Sequence, residues 1–122
     1  MKIILRNTAH SQERESGNRL YYDFPEYSLH LNEIKPGGAT DWHHHEKIWE
    51  TVFVTKGELI IRWKEDGRIK EQLLHEGDVV EVGDTPQSFA NETNEPAAFL
   101  DIKQVLSGED KQELLKTDKV SD

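Results

Sequence analysis

Three of the six histidines are consecutive, at His43, His44 and His45, preceded by Trp42 and followed by Glu46 and Glu50. In a β-strand, residues i and i+2 face the same side. His43 and His45 can therefore point together into an interior while His44 points away. Two imidazoles on one strand face can close on one metal ion at about 2.0–2.2 Å. A carboxylate arriving after a short turn completes a facial set of three ligands, and Glu50 opens the next apolar run. Such a set leaves coordination positions open for water, dioxygen or a substrate. It suits non-haem Fe(II), and Mn, Ni, Co, Cu or Zn can take the same ligands. A divalent ion also offsets the cost of placing Glu50 indoors, where a lone carboxylate is strongly disfavoured.

The remaining chemistry-bearing residues are less concentrated. His10, His30 and His75 are scattered, and the strand carrying His30 leads toward the expected pocket. Trp42, Trp49, Trp63 and Phe89 are candidates for an aromatic pocket wall, with core packing as the competing reading. Trp49 is the best placed of them because it precedes Glu50. Arg62 reads as an exposed hairpin residue and Glu46 as a solvated turn.

The elements that must hold these residues are short. A first strand is expected at 2–5, then an exposed loop over 6–19, where Ala9 is the lone apolar residue. From Tyr21 onward, β-rich runs follow each other at about ten-residue spacing, which predicts an all-β sandwich or barrel. They span 27–34, 50–55, 58–63, 68–74, 79–82 and 97–105, each of the earlier ones closed by a Gly, Pro, Asn or Asp turn. Asp66-Gly67 is the clearest hairpin turn, since that pair accepts the φ > 0 that a tight turn needs. After Val105, Ser107 and Asp110 resemble the start of a short helix, with Leu114 and Leu115 available to pack it. A frayed tail is expected beyond Lys116.

Composition removes several function classes. With 122 residues there is room for one domain. The formal charge is −9, which disfavours nucleic acid and anionic membrane surfaces as partners. Cysteine is absent, so disulfides, thiolate catalysis and Cys-based metal sites are excluded. The longest apolar run, Ala97–Leu100, is far too short to span a membrane. Met1–Arg6 has no signal-peptide core, so the cytoplasm is the expected compartment.

One pattern is more specific. Gly37, five residues, His43, one residue, His45, four residues, Glu50, six residues and Gly57 resembles the first cupin motif at every fixed position. The segment Gly77–Asn91 resembles the second motif through Gly77, Asp78 and Asn91. Its turn is Gly83-Asp84, one residue shorter than usual, and Gln87 stands where the family carries its last metal-binding histidine. The two motifs and their strands cover about residues 27–105, flanked by an N-terminal strand and loop (1–26) and a C-terminal helix and tail (106–122).

The resemblance implies a double-stranded β-helix, a small jelly-roll-like barrel with one deep pocket. It implies one divalent metal on His43, His45 and Glu50, with Gln87 at the fourth position, and a homodimer. Gln87 leaves three alternatives: it coordinates through its amide oxygen, it orients a metal-bound water, or the pocket holds a ligand without tight metal. The functional expectation is a metal-dependent enzyme of dioxygenase or isomerase/lyase type acting on a small organic molecule. The alternative is a non-catalytic small-molecule or sugar-binding module. Fold alone does not choose between them.

Overall fold

The computed structural model describes residues 1–105 and 111–122. The strands are β1 (His10–Arg14), β2 (Gly17–Asp23), β3 (Tyr27–Ile34), β4 (His43–His45), β5 (Ile48–Lys56) and β6 (Leu59–Glu65). They continue with β7 (Arg68–Leu74), β8 (Val79–Gly83), β9 (Gln87–Ala90), β10 (Ala97–Val105) and, after helix α1 (Lys111–Thr117), β11 (Lys119–Ser121). Two antiparallel sheets result. One runs β1-β2-β3-β10-β5-β8 and the other β11-β4-β9-β6-β7. This is the all-β, jelly-roll-like double-stranded β-helix expected from the sequence, with one short helix near the C-terminal end.

Period-2 alternation selects the inward face. On β5, Ile48, Glu50, Val52 and Val54 are buried, and on β10 Ala97, Phe99, Asp101, Lys103 and Val105 are buried. On β3 the buried set is Ser28, His30, Asn32 and Ile34. Polar inward residues are Glu50 on β5, Asp101 and Lys103 on β10, and Ser28, His30 and Asn32 on β3. The register sets Lys103 opposite both Ser28 and Glu50, and Phe99 opposite Val54. One end of the interior is therefore an apolar core of Ile34, Val52, Val54, Leu59, Ile61 and Phe99 with their neighbours. Phe89 and Phe99 stack there at 4.8 Å between ring centroids. The other end is lined by polar side chains.

The Asp66-Gly67 hairpin joins β6 and β7 as the sequence predicts, with φ of 52° and 72°. The two termini depart from expectation. Residues 2–5 form no strand, and the supposed loop at 6–19 contains β1 and the start of β2, paired as a hairpin with Arg14 opposite Gly17. Apolar content alone misses this hairpin because β1 is exposed along almost its whole length. The tail is also ordered differently. Lys119–Ser121 pairs with all of β4, Lys119 opposite His45 and Ser121 opposite His43. Helix α1 runs over Lys111–Thr117, and the expected cap at Ser107–Asp110 lies outside the described residues.

Candidate metal centre and its cavity

Strand β4 is only three residues long, and its two neighbours hold it in register. Strand β9 sets Gln87 directly opposite His43, and cross-strand partners share a face. On the facing sheet β5 brings Glu50 inward. Ligand atoms of His43, His45 and Glu50 all lie within 4.8 Å of one another. His44 faces the other way, its Nδ1 2.7 Å from Asp122 Oδ2, which raises its pKa.

Both inward imidazoles have their tautomer set by backbone. His43 Nδ1 donates to the Asp41 carbonyl at 2.8 Å, and His45 Nδ1 donates to the Asp118 carbonyl at 2.6 Å. A carbonyl oxygen only accepts, so the proton sits on Nδ1 and the Nε2 lone pair is left free. Those lone pairs converge on Glu50. His43 Nε2 is 3.9 Å and His45 Nε2 2.6 Å from Glu50 Oε1. The shorter approach has no hydrogen-bond geometry, and both of its atoms are buried without a hydrogen-bond partner. Gln87 Oε1 is likewise buried and unpartnered. Acceptors facing acceptors in a buried site are costly unless a cation lies among them. The donor set of imidazole nitrogen, carboxylate and amide oxygen fits a borderline or hard divalent ion.

Asp118 also organises this end of β4. Its Oδ2 accepts the backbone N–H groups of Glu46 (3.1 Å), Lys47 (2.6 Å) and Ile48 (2.9 Å). One residue thus fixes the turn between the histidines and Glu50 and, through its carbonyl, orients His45.

The site opens on a cavity of about 920 Å³. Its far wall is the polar half of the larger sheet, where Arg19, Tyr21, His30, Asn32, Asp101 and Lys103 face inward. Burial disfavours the imidazolium of His30, and the charges of Lys103 and Arg19 add to it, lowering its pKa to about 2. His30 is therefore neutral at ordinary pH. Burial likewise lowers the pKa of His43, against the opposing pull of the Asp41 carbonyl. For Glu50 burial works against the charge. The positive charge of Lys103 opposes it, and the carboxylate is held below its usual range. Asp101, buried beside Glu50, is pushed the other way by burial and by the Glu50 charge.

Of the four aromatic or histidine candidates for the pocket, His30 and Phe89 line the cavity and Trp49 and Trp63 do not. Trp49 lies between inward Ile48 and Glu50, so strand parity turns it to the outer face. There its indole covers Gly83, 2.7 Å from where a Cβ would stand. Trp63 is opposite Gln87 but packs on the apolar core, with its indole N–H donating to Glu65. The sequence reading missed Asp101 and Lys103. Their parity with Phe99 along β10 was the available signal. It also missed Arg19 and Asp118, whose partners are distant in sequence and leave no local signal.

Residues 30–103 match the family model described as Cupin domain. The chain is a cupin. Among solved structures, the cupin is similar to a cupin-superfamily sugar phosphate isomerase from Silicibacter pomeroyi DSS-3. That match has a TM-score of 0.70 and 19% identity, covering 84% of this chain and 75% of the other. It is also similar to the oxalate decarboxylase of Lactobacillus farciminis, solved as a formate complex (TM-score 0.75, 22% identity, 94% of this chain). A third similarity is to the capsular polysaccharide assembling protein CapF of Staphylococcus aureus (TM-score 0.75, 16% identity, 93% of this chain). This cupin spans 34% of each of the last two chains. At these identities the likeness concerns the fold. No curated protein matches the chain.

Proposed function

We propose that this cupin is a metal-dependent enzyme acting on a small organic molecule in the barrel cavity. One divalent ion would be held by His43, His45 and Glu50, with the Gln87 amide oxygen as the fourth ligand. The observation that carries this reading is the meeting of His43, His45 and Glu50 ligand atoms within 4.8 Å of one another, with buried, unpartnered acceptors on His45, Glu50 and, on the strand paired with His43, Gln87. A divalent metal with open positions supplies Lewis acidity or redox chemistry to a ligand beside it. The protein's own part is to keep both histidines in the Nδ1–H tautomer and to keep Glu50 ionised. Dioxygenase and isomerase/lyase chemistry both suit such a site.

Metal analysis of protein purified without a tag tests the reading. Near-stoichiometric metal is expected, lost in His43→Ala/His45→Ala. Protein that stays metal-free after reconstitution with Fe, Mn, Ni and Zn would refute it. Oxygen uptake across diketones, phenols and small acids then separates oxygenase from isomerase. Gln87 favours a second reading, a binding module with weak metal, because an amide is a poorer ligand than imidazole. A bound molecule without turnover would select it.

We also propose a homodimer. An outward ladder of Leu20, Leu31, Leu100, Phe53 and Val79 crosses the larger sheet, and Phe53 and Val79 are exposed. Sedimentation of the full chain against Phe53→Lys tests this, since a lysine at the centre of such an interface should yield a monomer. Among the described residues no helix is long and apolar enough to cross a membrane.

A further inference from the structure

The far wall of the cavity holds a buried imidazole that no described residue engages by hydrogen bond. His30 is 6% exposed and stands on β3 between Tyr21 of β2 and Asp101 of β10, its partners in the two strand pairs. Its Nδ1 is enclosed and has no hydrogen-bond partner. Its Nε2, which is not enclosed and makes no hydrogen bond with the described residues, is the nitrogen open to the cavity. Tyr21 braces the ring, meeting it edge to face with 4.6 Å between centroids, and is itself tied through its hydroxyl to Gln12 at 2.6 Å. Asp101 likewise keeps one carboxyl oxygen enclosed without a partner.

A buried polar group without a partner is destabilising, so a ligand that satisfies it gains affinity. What satisfies His30 follows from its state. Burial and the nearby Lys103 and Arg19 charges keep it neutral, and a neutral imidazole offers one N–H and one lone pair. A hydroxyl group serves either nitrogen, because it both donates and accepts. A carboxylate or phosphate only accepts, so it serves neither the lone pair nor the Asp101 oxygen. An ammonium group only donates. Charge gives no further pull toward either, since six acidic and six basic side chains line the cavity. Next to the polar wall, the stacked Phe89 and Phe99 supply an apolar face for a carbon skeleton.

We propose that the cavity binds an uncharged, polyhydroxylated small molecule and that His30 is the residue that takes one of its hydroxyl groups. The proposal rests on the cavity being the ligand pocket, as both readings above have it, and is independent of the metal. It makes His30 a specificity-determining residue. A site that hydrogen-bonds a hydroxyl discriminates against an analogue that cannot supply one, because the buried polar group is then left unpaired. Tyr21 acts through His30 as a positioning residue.

Titration of the full chain with xylitol, D-glucose and myo-inositol tests the proposal, in chelator-treated and in zinc-loaded protein. NMR of isotope-labelled imidazole rings reads the outcome, with the His30 signals assigned by their loss in His30→Gln. At least one of the three polyols should bind and shift the His30 ring nitrogens. His30→Phe should weaken that polyol about tenfold, as expected for losing one buried hydrogen bond. His30→Gln, whose amide replaces a ring nitrogen, should keep most of the affinity. Gluconate and glucose 6-phosphate should bind more weakly than glucose. The proposal is overturned if none of the polyols binds, if one binds without moving the His30 signals, if His30→Phe binds as well as the unaltered chain, or if the charged forms bind best. The shift measured on the unaltered chain decides even if His30→Phe fails to fold. Polyol binding through His30 in metal-free protein would support this proposal whatever the outcome for the metal. Stoichiometric metal without polyol binding would sink it and leave the metal reading standing.

Discussion

Asp118→Ala removes one carboxylate and leaves three backbone N–H groups, at Glu46, Lys47 and Ile48, without their acceptor. The first two lie at an exposed turn, where water replaces the oxygen, and cost about 0.5–1 kcal/mol each. The third belongs to a residue that is 1% exposed, so its loss costs about 1–3 kcal/mol. The sum is about 2–5 kcal/mol, or a fall in Tm of roughly 10 °C or more for a chain of this size. The same loss loosens the link between β4 and β11 and so the Asp118 carbonyl that holds His45. Removing such an outer partner of a ligand commonly lowers metal affinity about 10–100-fold. Thermal melting reads the first effect, and competition with a chelator reads the second. Asp118→Asn keeps one acceptor oxygen and should fall between the two. An Asp118→Ala protein with unaltered Tm and unaltered metal affinity would show that the C-terminal strand does not organise the site.

Gln87→His should retain metal about tenfold longer against a chelator, because imidazole is the stronger ligand at that corner; unaltered retention would mean that Gln87 stays out of the coordination sphere. His30 makes folding depend on pH. Its folded pKa of about 2 is below the unfolded value near 6.5, so below pH ~6.5 the unfolded chain takes up a proton that the folded one refuses. Its contribution is therefore complete above pH ~6.5 and declines by about 1.4 kcal/mol per pH unit as pH falls toward 2. Urea midpoints at pH 7 and pH 5 should differ less for His30→Gln than for the unaltered chain, and equal differences would refute the assignment.

Much of the site was legible before the fold. The i, i+2 spacing of His43 and His45, with Glu50 at the head of an apolar run, needs only strand geometry to become a candidate ligand set. The outward turn of His44 follows from the same parity, and the hairpin at Asp66-Gly67 from turn chemistry. Trp49 shows the limit of proximity in sequence. It adjoins Glu50, and adjacency in a strand is what sends it to the opposite face.

What the sequence determined by itself is local: which residues share a strand face, where the chain turns and which ligand types are available without cysteine. These depend on a few neighbouring dihedrals and on side-chain chemistry. What only the tertiary structure decided is which faces meet. Arg19 reaches the cavity because an exposed hairpin near the N-terminus joins the sheet edge, and Lys103 stands beside Glu50 because β10 pairs with β5 in that register. Asp118 caps a turn some seventy residues away because β11 adds to β4. Such pairings are chosen by backbone hydrogen bonds and burial summed over the whole barrel, so no short window of sequence contains them.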